Sequence, residues 1–416
     1  EIKTYHDRQR QIVEEDYFVS VDDNTTLVGK YRRYYENGKL MLEGNFDEGN
    51  KSGVFTEFHE NGNIARKLTY VNGLRHGIVE VFNQDGKPIQ KAYYQNDKLT
   101  DSVQLYFDNG GLKGETFFVK GKPEGLIKEY YSSGKIKRES QYKNGKPNGI
   151  TRTFYQDGKV ETEANYENGI LKGFYKTYYS NGQLETVSTM AAGSKNGQYK
   201  NYDREGHLML EGNFAYGKLE GDNVGYFPNG NIQHRYAYKE GRKIGANYEY
   251  HANGKTKVKE EGSSNGVELS QLTYDENENL LTEKHFKSEK PDGTWYFYFP
   301  GTKTLEHKET YEGGKLNGTR YTYFPSGKLS KEETFKFNLL AGPFKTYYET
   351  GAKESVGENR SNRKHGVFTA YHPNGKIKEQ GEYIADKKHK DWKQFDEQGN
   401  LTKTLIYKAG ILTGEK

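Results

Sequence analysis

The 416-residue chain has no cysteine, which excludes disulfides, thiolate nucleophiles and thiolate metal sites. Tryptophan occurs only 2 times, and this counts against aromatic cages for choline-like or other quaternary ammonium ligands, whose best ring is Trp. No apolar run approaches the roughly 20 residues of a membrane-crossing helix. Neither sign of charge dominates. The 62 basic and 58 acidic residues leave a net +4 spread along the whole chain, so no stretch reads as a nucleic-acid-binding stripe. Hydrophobic residues make up only 32% of the chain and the mean hydropathy is −1.06, too little for conventional closed cores in a chain of this length.

What is present in quantity is tyrosine, 36 residues, with 21 phenylalanines. A disordered chain is poor in aromatics. A single-layer sheet can use Tyr, because the ring packs on a pleated surface while the hydroxyl stays hydrated. Glycine supplies the organisation. Gly38, Gly62, Gly86, Gly110, Gly134, Gly158, Gly182, Gly206, Gly230 and Gly254 are each 24 residues apart; Glu278 holds the next position, one extra residue follows near Lys303, and Gly327, Gly351, Gly375 and Gly399 resume the spacing. That is about sixteen units of a repeat architecture.

A unit reads Gly-x-aromatic-x-x-aromatic-aromatic-x-Asn-Gly-Lys-Leu/Ile-x-x-Glu-x-x-Tyr/Phe-x-x-Gly-Lys, seen from Gly125 to Lys146 with Ile127 and Ser133 in place of the first aromatic and the Asn. Two strand-length runs flank a turn. Asn-Gly at Asn37, Asn61, Asn109, Asn181, Asn229, Asn253 and Asn374 reads as a type I′ hairpin tip, with φ positive at both central residues. The turn glycines Gly38, Gly62, Gly134, Gly158, Gly182, Gly230, Gly254 and Gly375 are therefore structural. Asn72-Gly73, Asn144-Gly145 and Asn168-Gly169 mark turns at the opposite edge. The predicted fold is all-β: an elongated, single-layer antiparallel meander of 24-residue hairpins, coiled into a twisted, solenoid-like ribbon on the order of 150 Å long.

With a two-residue tip, Tyr35 pairs with Leu40, Arg32 with Glu43 and Gly29 with Phe46. One face then carries Tyr31, Tyr35, Leu40 and Phe46, the other Tyr34, Arg32 and Glu43. Gly29 and its counterparts Gly53, Gly77, Gly125, Gly149, Gly173 and Gly197 are expected to leave bare backbone beneath a ring. The aromatic four residues before each tip glycine is present in every unit. Tyr130, Phe154, Tyr178, Tyr202, Tyr226 and Tyr250 form a candidate partner-binding ladder, with a stacked ladder that stabilises the sheet as the structural alternative. Recurrent Glu43, Glu115, Glu139, Glu163, Glu211, Glu283 and Glu332 read as cross-strand partners of Arg and Lys, since catalysis needs one constellation set apart rather than a row of similar sites. The Gly-Lys pairs lie in turns and form no phosphate loop. The 11 histidines are scattered, with no zinc-ligand pair on a helix; His76 and His365 share a repeat position and read as turn residues. No catalytic, cofactor-binding or metal-binding residue is assigned.

Residues 1–28 stand outside the register, and Ile12, Glu15 and Phe18 look like a partial repeat that caps the array. Regular repeats occupy 29–259 and 304–416. Between them, 260–303 is degenerate, with a displaced Asn265-Gly266 and with Leu269 and Glu278 in turn-glycine positions, so a hinge is expected there. Gly414 opens a further unit that Lys416 ends. An edge left open in this way invites pairing with another chain.

The Tyr-Tyr-x-Asn-Gly-Lys-Leu/Ile-x-x-Glu core, as at Tyr34 to Glu43, and the Asn/His-Gly after the second turn, as at His76-Gly77, Asn148-Gly149, Asn196-Gly197, Asn317-Gly318 and His365-Gly366, resemble the MORN-type repeat. The closer resemblance is to its bacterial variant, which includes the YwqK-family antitoxins. It covers the chain from about residue 29 onward. The resemblance implies a sheet used in protein interaction, with membrane-lipid contact in some eukaryotic relatives, and it names no substrate. The expectation is a non-catalytic scaffold with a protein partner and no cofactor. A chain beginning at Glu1 rather than Met fits a processed or trimmed protein, and an exported setting, extracellular, periplasmic or on the outer surface, goes with it. The alternatives are a cytoplasmic toxin-neutralising antitoxin, which a neighbouring toxin gene would favour, and a glycan- or choline-binding hairpin array, which the scarcity of Trp disfavours. Peripheral lipid binding would need a basic face with apolar anchors, and the interspersed acids speak against it.

Overall fold

The computed structural model describes residues 1–263 and 266–416. Ser264 and Asn265 lie outside the described residues, and with them the proposed displacement of the Asn265-Gly266 turn. Among the described residues every regular element is a β-strand. The fold is the predicted open antiparallel meander, not closed into a barrel. It divides into two compact units, Glu1–His207 and Leu208–Lys416; within each, hairpin follows hairpin and strands pair with their neighbours in sequence.

The two edges of the sheet use different turns. At Asn72-Gly73, where a turn at the opposite edge was expected, φ is 49° and 77°, and Val71 pairs with Leu74 across a two-residue type I′ turn. The Asn-Gly tips are not type I′. Asn37 has no positive φ; Gly38 alone does, at 79°. Its N–H donates to Tyr35 O and Tyr35 N–H donates to Lys39 O, both at 2.8 Å, which is a three-residue tip ending in a glycine bulge. The same left-handed glycine recurs at Gly62, Gly134, Gly158, Gly182, Gly230, Gly254 and Gly375. The longer tip keeps Gly29 opposite Phe46 and Arg32 opposite Glu43, but moves Leu40 opposite Tyr34 rather than Tyr35. Leu40 thus joins the face of Tyr34.

The glycine that opens each repeat also has a different task from the one expected. A Cβ on Gly29, Gly53 or Gly125 would meet nothing within 4 Å, so no ring rests there. These glycines sit at φ 67°, 75° and 77°, a left-handed conformation that admits a β-bulge. At the Gly53 bulge Glu43 pairs with Thr56 and Asn45 with Ser52, so Gly53, Val54 and Phe55 together oppose Gly44. Gly44 is the residue covered by a ring: its Cβ would lie 2.5 Å from Phe55. Gly381 lies in the same way under Trp392, and Gly357 under Phe344.

The bulge turns one face of each hairpin into a core. In the first unit Phe55 is 1% exposed, in a chain of rings Tyr17, Tyr31, Phe46, Phe55 and Tyr70 with successive centroids 5.2 to 6.1 Å apart. In the second unit Trp392, fully buried, packs with Phe344, Phe368 and Leu405 against Tyr383 and Tyr407. Lysines close these rings over, Lys388 Nζ lying 3.8 Å from the Trp392 centroid.

Residues 1–28 form a hairpin whose second strand, Val13–Val19, pairs with the opening repeat. Tyr31 Oη donates to Glu15 Oε1 at 2.6 Å, and Asp23 accepts the N–H groups of Thr25 and Thr26 in the polar loop. Among the described residues of 260–303 each strand pairs with the next. Leu269 fills the bulge-glycine position, and its ladder, Val258 with Thr273 through Gly262 with Leu269, has no bulge. Glu278 takes the tip-glycine conformation at φ 66°. The extra residue near Lys303 enlarges the next tip, which Phe299 N–H closes onto Thr304 O.

Candidate interaction face

Many hairpins are tied to the next at their tips. The residue three before the tip glycine is on the core side, and when it is Tyr its hydroxyl donates to the backbone carbonyl 23 residues on. Tyr35 reaches Phe58 O at 2.7 Å, Tyr131 reaches Phe154 O at 2.6 Å, Tyr155 reaches Tyr178 O at 2.6 Å, Tyr179 reaches Tyr202 O at 2.9 Å and Tyr348 reaches Tyr371 O at 2.7 Å. Histidine does the same through Nε2 at His59, His251 and His372. The Asn of the tip serves twice. Asn181 Oδ1 accepts Gln183 N–H within its own turn, and its Nδ2 donates to Arg204 O in the next tip. At the opposite edge the second turn residue donates backward, as Gly73 N–H does to Lys51 O and Gly169 N–H to Pro147 O. Nearest-neighbour coupling of this kind is what gives a linear repeat array its stability. The sequence analysis assigned no role to this column; its alternation of Tyr with His, two side chains that share a donor at similar reach, was the available signal.

Where Asp replaces the tethering ring, the tip caps itself. Asp203 accepts the N–H groups of Glu205 and His207 and meets His207 Nδ1 at 2.9 Å. Its partial burial opposes ionisation, yet the hydrogen bonds from His207 hold its pKa below the ordinary value. Glu205 and His207 are exposed beside it, three potential metal ligands within 4.8 Å; turn capping accounts for the Asp203–His207 geometry.

With the core face filled, the opposite face carries two rows. The first is charged and directly cross-paired. In the first unit Asp16 opposes Arg32, which opposes Glu43; Lys67, Glu80 and Lys91 follow in register; Glu139, Arg152, Glu163 and Lys176 follow again. Arg152 Nε bonds Glu163 Oε2 at 2.8 Å, and Lys176 lies 3.5 Å from the same carboxylate. Glu43, Glu115, Glu139 and Glu163 are thus paired with cations across the strands, as predicted, and Lys345 reaches Glu332 in the second unit, whereas Glu283 lies between Leu272 and Tyr296.

The second row is the aromatic column with an aliphatic partner: Tyr34 opposite Leu40, Tyr130 opposite Ile136, Phe154 opposite Val160, Tyr178 opposite Leu184. Tyr130, Phe154, Tyr178 and Tyr202 belong to the first unit, Tyr226 and Tyr250 to the second, and all six are half-buried. They are not a stacked ladder. Column neighbours sit two strands apart, about 9.6 Å, beyond ring contact. Rings of the column reach the preceding hairpin or their own strand instead: Tyr226 Oη donates to Glu211 and Tyr347 Oη to Glu332, each on the preceding hairpin, at 2.6 Å, and Tyr250 stacks on Tyr248 at 6.2 Å. Burial and then the carboxylate partner push the Tyr226 and Tyr347 hydroxyls up to about 12. Ring-to-ring continuity between successive strands is seen on the core face, where the bulges bring such rings together.

An open meander of tethered hairpins, packed on one face and presenting regular rows on the other, defines a β-hairpin repeat protein. Residues 27–48, 51–72, 75–96, 123–144, 147–168, 316–337 and 364–385 match the MORN repeat variant. The chain is a MORN-type repeat protein. No curated protein matches it. Among solved structures it is similar to the TcdB2-TccC3 crystal structure at 10% identity and a TM-score of 0.17, covering 98% of this chain and 26% of that one. It is similar also to the Photorhabdus luminescens Tc holotoxin pore, at 11% identity and a TM-score of 0.16, covering 95% and 26%, and to a eukaryotic initiation factor, at 11% and 0.14, covering 87% and 95%. The chain spans about a quarter of the toxin chains, and likenesses at these TM-scores carry no argument.

Proposed function

We propose that the chain is a non-catalytic scaffold that binds a protein partner on the face opposite its core. The observation that carries this reading is the pair of parallel rows on that face in the first unit. An aromatic–aliphatic row stays half-exposed at Tyr130, Phe154 and Tyr178, beside a charge row whose members already neutralise one another. A surface of amphipathic rings flanked by paired charges offers contact area without a net field, the composition of a protein-binding patch rather than a nucleic-acid or anionic-lipid surface. An exported or envelope setting, with a host or cell-surface partner, is the context we favour; a toxin-neutralising role is the alternative.

The test is proximity crosslinking and pulldown from the native source, comparing the parent chain with Tyr130→Ser, Tyr178→Ser, Tyr202→Ser. One protein captured by the parent and lost by a variant that keeps its circular dichroism supports the reading and locates the face. Equal capture by both refutes that location. No protein captured, with signal on a glycan array, replaces the reading with carbohydrate binding.

A further inference from the structure

In one stretch of the second unit the repeat pattern is altered on both faces. The core column, which holds Phe55 and Val79 in the first unit, becomes Asn223, Asn247 and Gln271. Asn247 is 2% exposed, its Oδ1 accepting Ala237 N–H, and Gln271 Nε2 donates to Glu260. Over an overlapping stretch that runs on to Tyr321 the charge row loses its first-strand cations. Tyr248, Leu272, Tyr296 and Tyr321 stand at the positions held by Lys128, Arg152 and Lys176 in the first unit. Directly opposed across the strands, the row runs Tyr248, Lys259, Leu272, Glu283, Tyr296, and on through Lys308, Tyr321, Glu332 and Lys345. Polarity has moved inward and aromatic surface outward, and an apolar sheet face is stable when something covers it.

We infer that a second copy of this chain covers it, the two outer faces packing about a two-fold axis parallel to the strand Gly293–Tyr298. The order of charges selects this occupant. Such an axis reverses the row about Tyr296: Glu283 meets Lys308 of the other copy, Lys259 meets Glu332, and Leu272 meets Tyr321. The neighbouring row obeys the same symmetry, Tyr274 meeting Tyr323 and Leu280 meeting Leu305. An axis along the row instead would set each lysine against its own copy. The match is a property of one symmetry operation, as an isologous interface requires, and it keeps the strands of the two sheets nearly aligned, the ordinary way sheets pack face to face.

Within one chain these charges are only lightly engaged. Lys259 lies 3.6 Å from Glu261, Glu283 lies 3.4 Å from His285, and Lys308 sits over the Tyr321 ring at 4.8 Å; Glu332 already holds Lys345 and Tyr347. The central contact is therefore Glu283 with Lys308, made twice. About seven strands of five residues give a footprint of roughly 600 Å² per copy, at the small end of specific interfaces, so the dimer is expected in the micromolar range.

The inference is independent of the partner reading, because it is tested with the purified full chain alone, by sedimentation equilibrium from 1 to about 200 µM. Glu283→Lys and Lys308→Glu each set like charges against each other at both central contacts and should weaken association about tenfold or more. The double exchange should restore it. Mixing the two single variants should give a heterodimer, because each then supplies the charge that the other lacks. Both positions, Glu283 and Lys308, are part-exposed on the outer face, so circular dichroism should stay unchanged. A parent that stays monomeric overturns the inference, and so does a dimer indifferent to both single exchanges. If the single variants fail to associate when mixed, the proposed axis is wrong.

Discussion

If the tip tethers couple each repeat to the next, removing their hydroxyls should loosen neighbouring hairpins without touching the core. Tyr131, Tyr155 and Tyr179 tether three consecutive repeats at 2.6, 2.6 and 2.9 Å. Changing each to Phe keeps the ring and leaves the Phe154, Tyr178 and Tyr202 carbonyls without that donor, at about 1 kcal/mol each. The sites are a full repeat apart and share no partner, so the triple variant should lose about 3 kcal/mol in the local unfolding of those hairpins. A 416-residue array need not unfold in one step, so the assay is amide exchange read segment by segment. Peptides within residues 146–202 should exchange on the order of 100-fold faster, and those near Trp392 should be unchanged. Tyr130→Phe is the internal control, since the Tyr130 hydroxyl donates to no protein group among the described residues, and it should fall within about 0.5 kcal/mol of the parent. If the triple variant exchanges no faster than that control, or if the effect spreads evenly over both units, these hydrogen bonds do not couple the repeats and the reasoning fails.

Gly381→Ala would place a Cβ 2.3 Å from the Trp392 indole; expelling that ring should cost about 3 kcal/mol and shift its fluorescence to the red. Glu278→Gly should stabilise the chain by up to about 1 kcal/mol, because Glu278 holds φ 66° where an L side chain is strained; no gain in the local exchange midpoint would contradict this. The hydroxyls of Tyr226 and Tyr347 have folded pKa values raised from 10.0 to about 12, so their stabilising contribution is complete below pH 10 and lost as pH rises from 10 towards 12; Tyr226→Phe should remove a late step from the tyrosinate absorbance titration. His234 and His307 are shifted the other way, below 6.5 by burial, each stacked on a ring, Tyr236 at 4.5 Å and Phe297 at 4.1 Å. The unfolded chain then binds these protons more readily, so stability should fall as pH drops through and below about 6.5, and less so in His234→Gln, His307→Gln.

What could be read from residues alone was whatever repeats locally. Glycines 24 apart, aromatics four residues before them and polar residues alternating with apolar ones specify hairpins, their strand lengths and the two faces, because each rests on backbone conformation and side-chain alternation within one unit. The pairing of Arg32 with Glu43 was legible for the same reason. The turn type was not. Asn-Gly suits both a two-residue I′ turn and a three-residue tip, and the structure uses Asn72-Gly73 for the first and Asn37-Gly38 for the second. At tips such as Asn181-Gly182 the next repeat favours the second form, its Arg204 carbonyl taking the Asn181 amide. The bulge at Gly53, the ring of Phe55 over Gly44, and hence which face becomes the core, depend on how one hairpin registers against its neighbour, and no single unit contains that information. The exchange of polarity around Asn247 and Tyr248 is written in the sequence, yet it becomes a surface only when the register brings Tyr248, Leu272, Tyr296 and Tyr321 into one row, since strands distant in sequence share a face only through the hydrogen-bonded ladder between them.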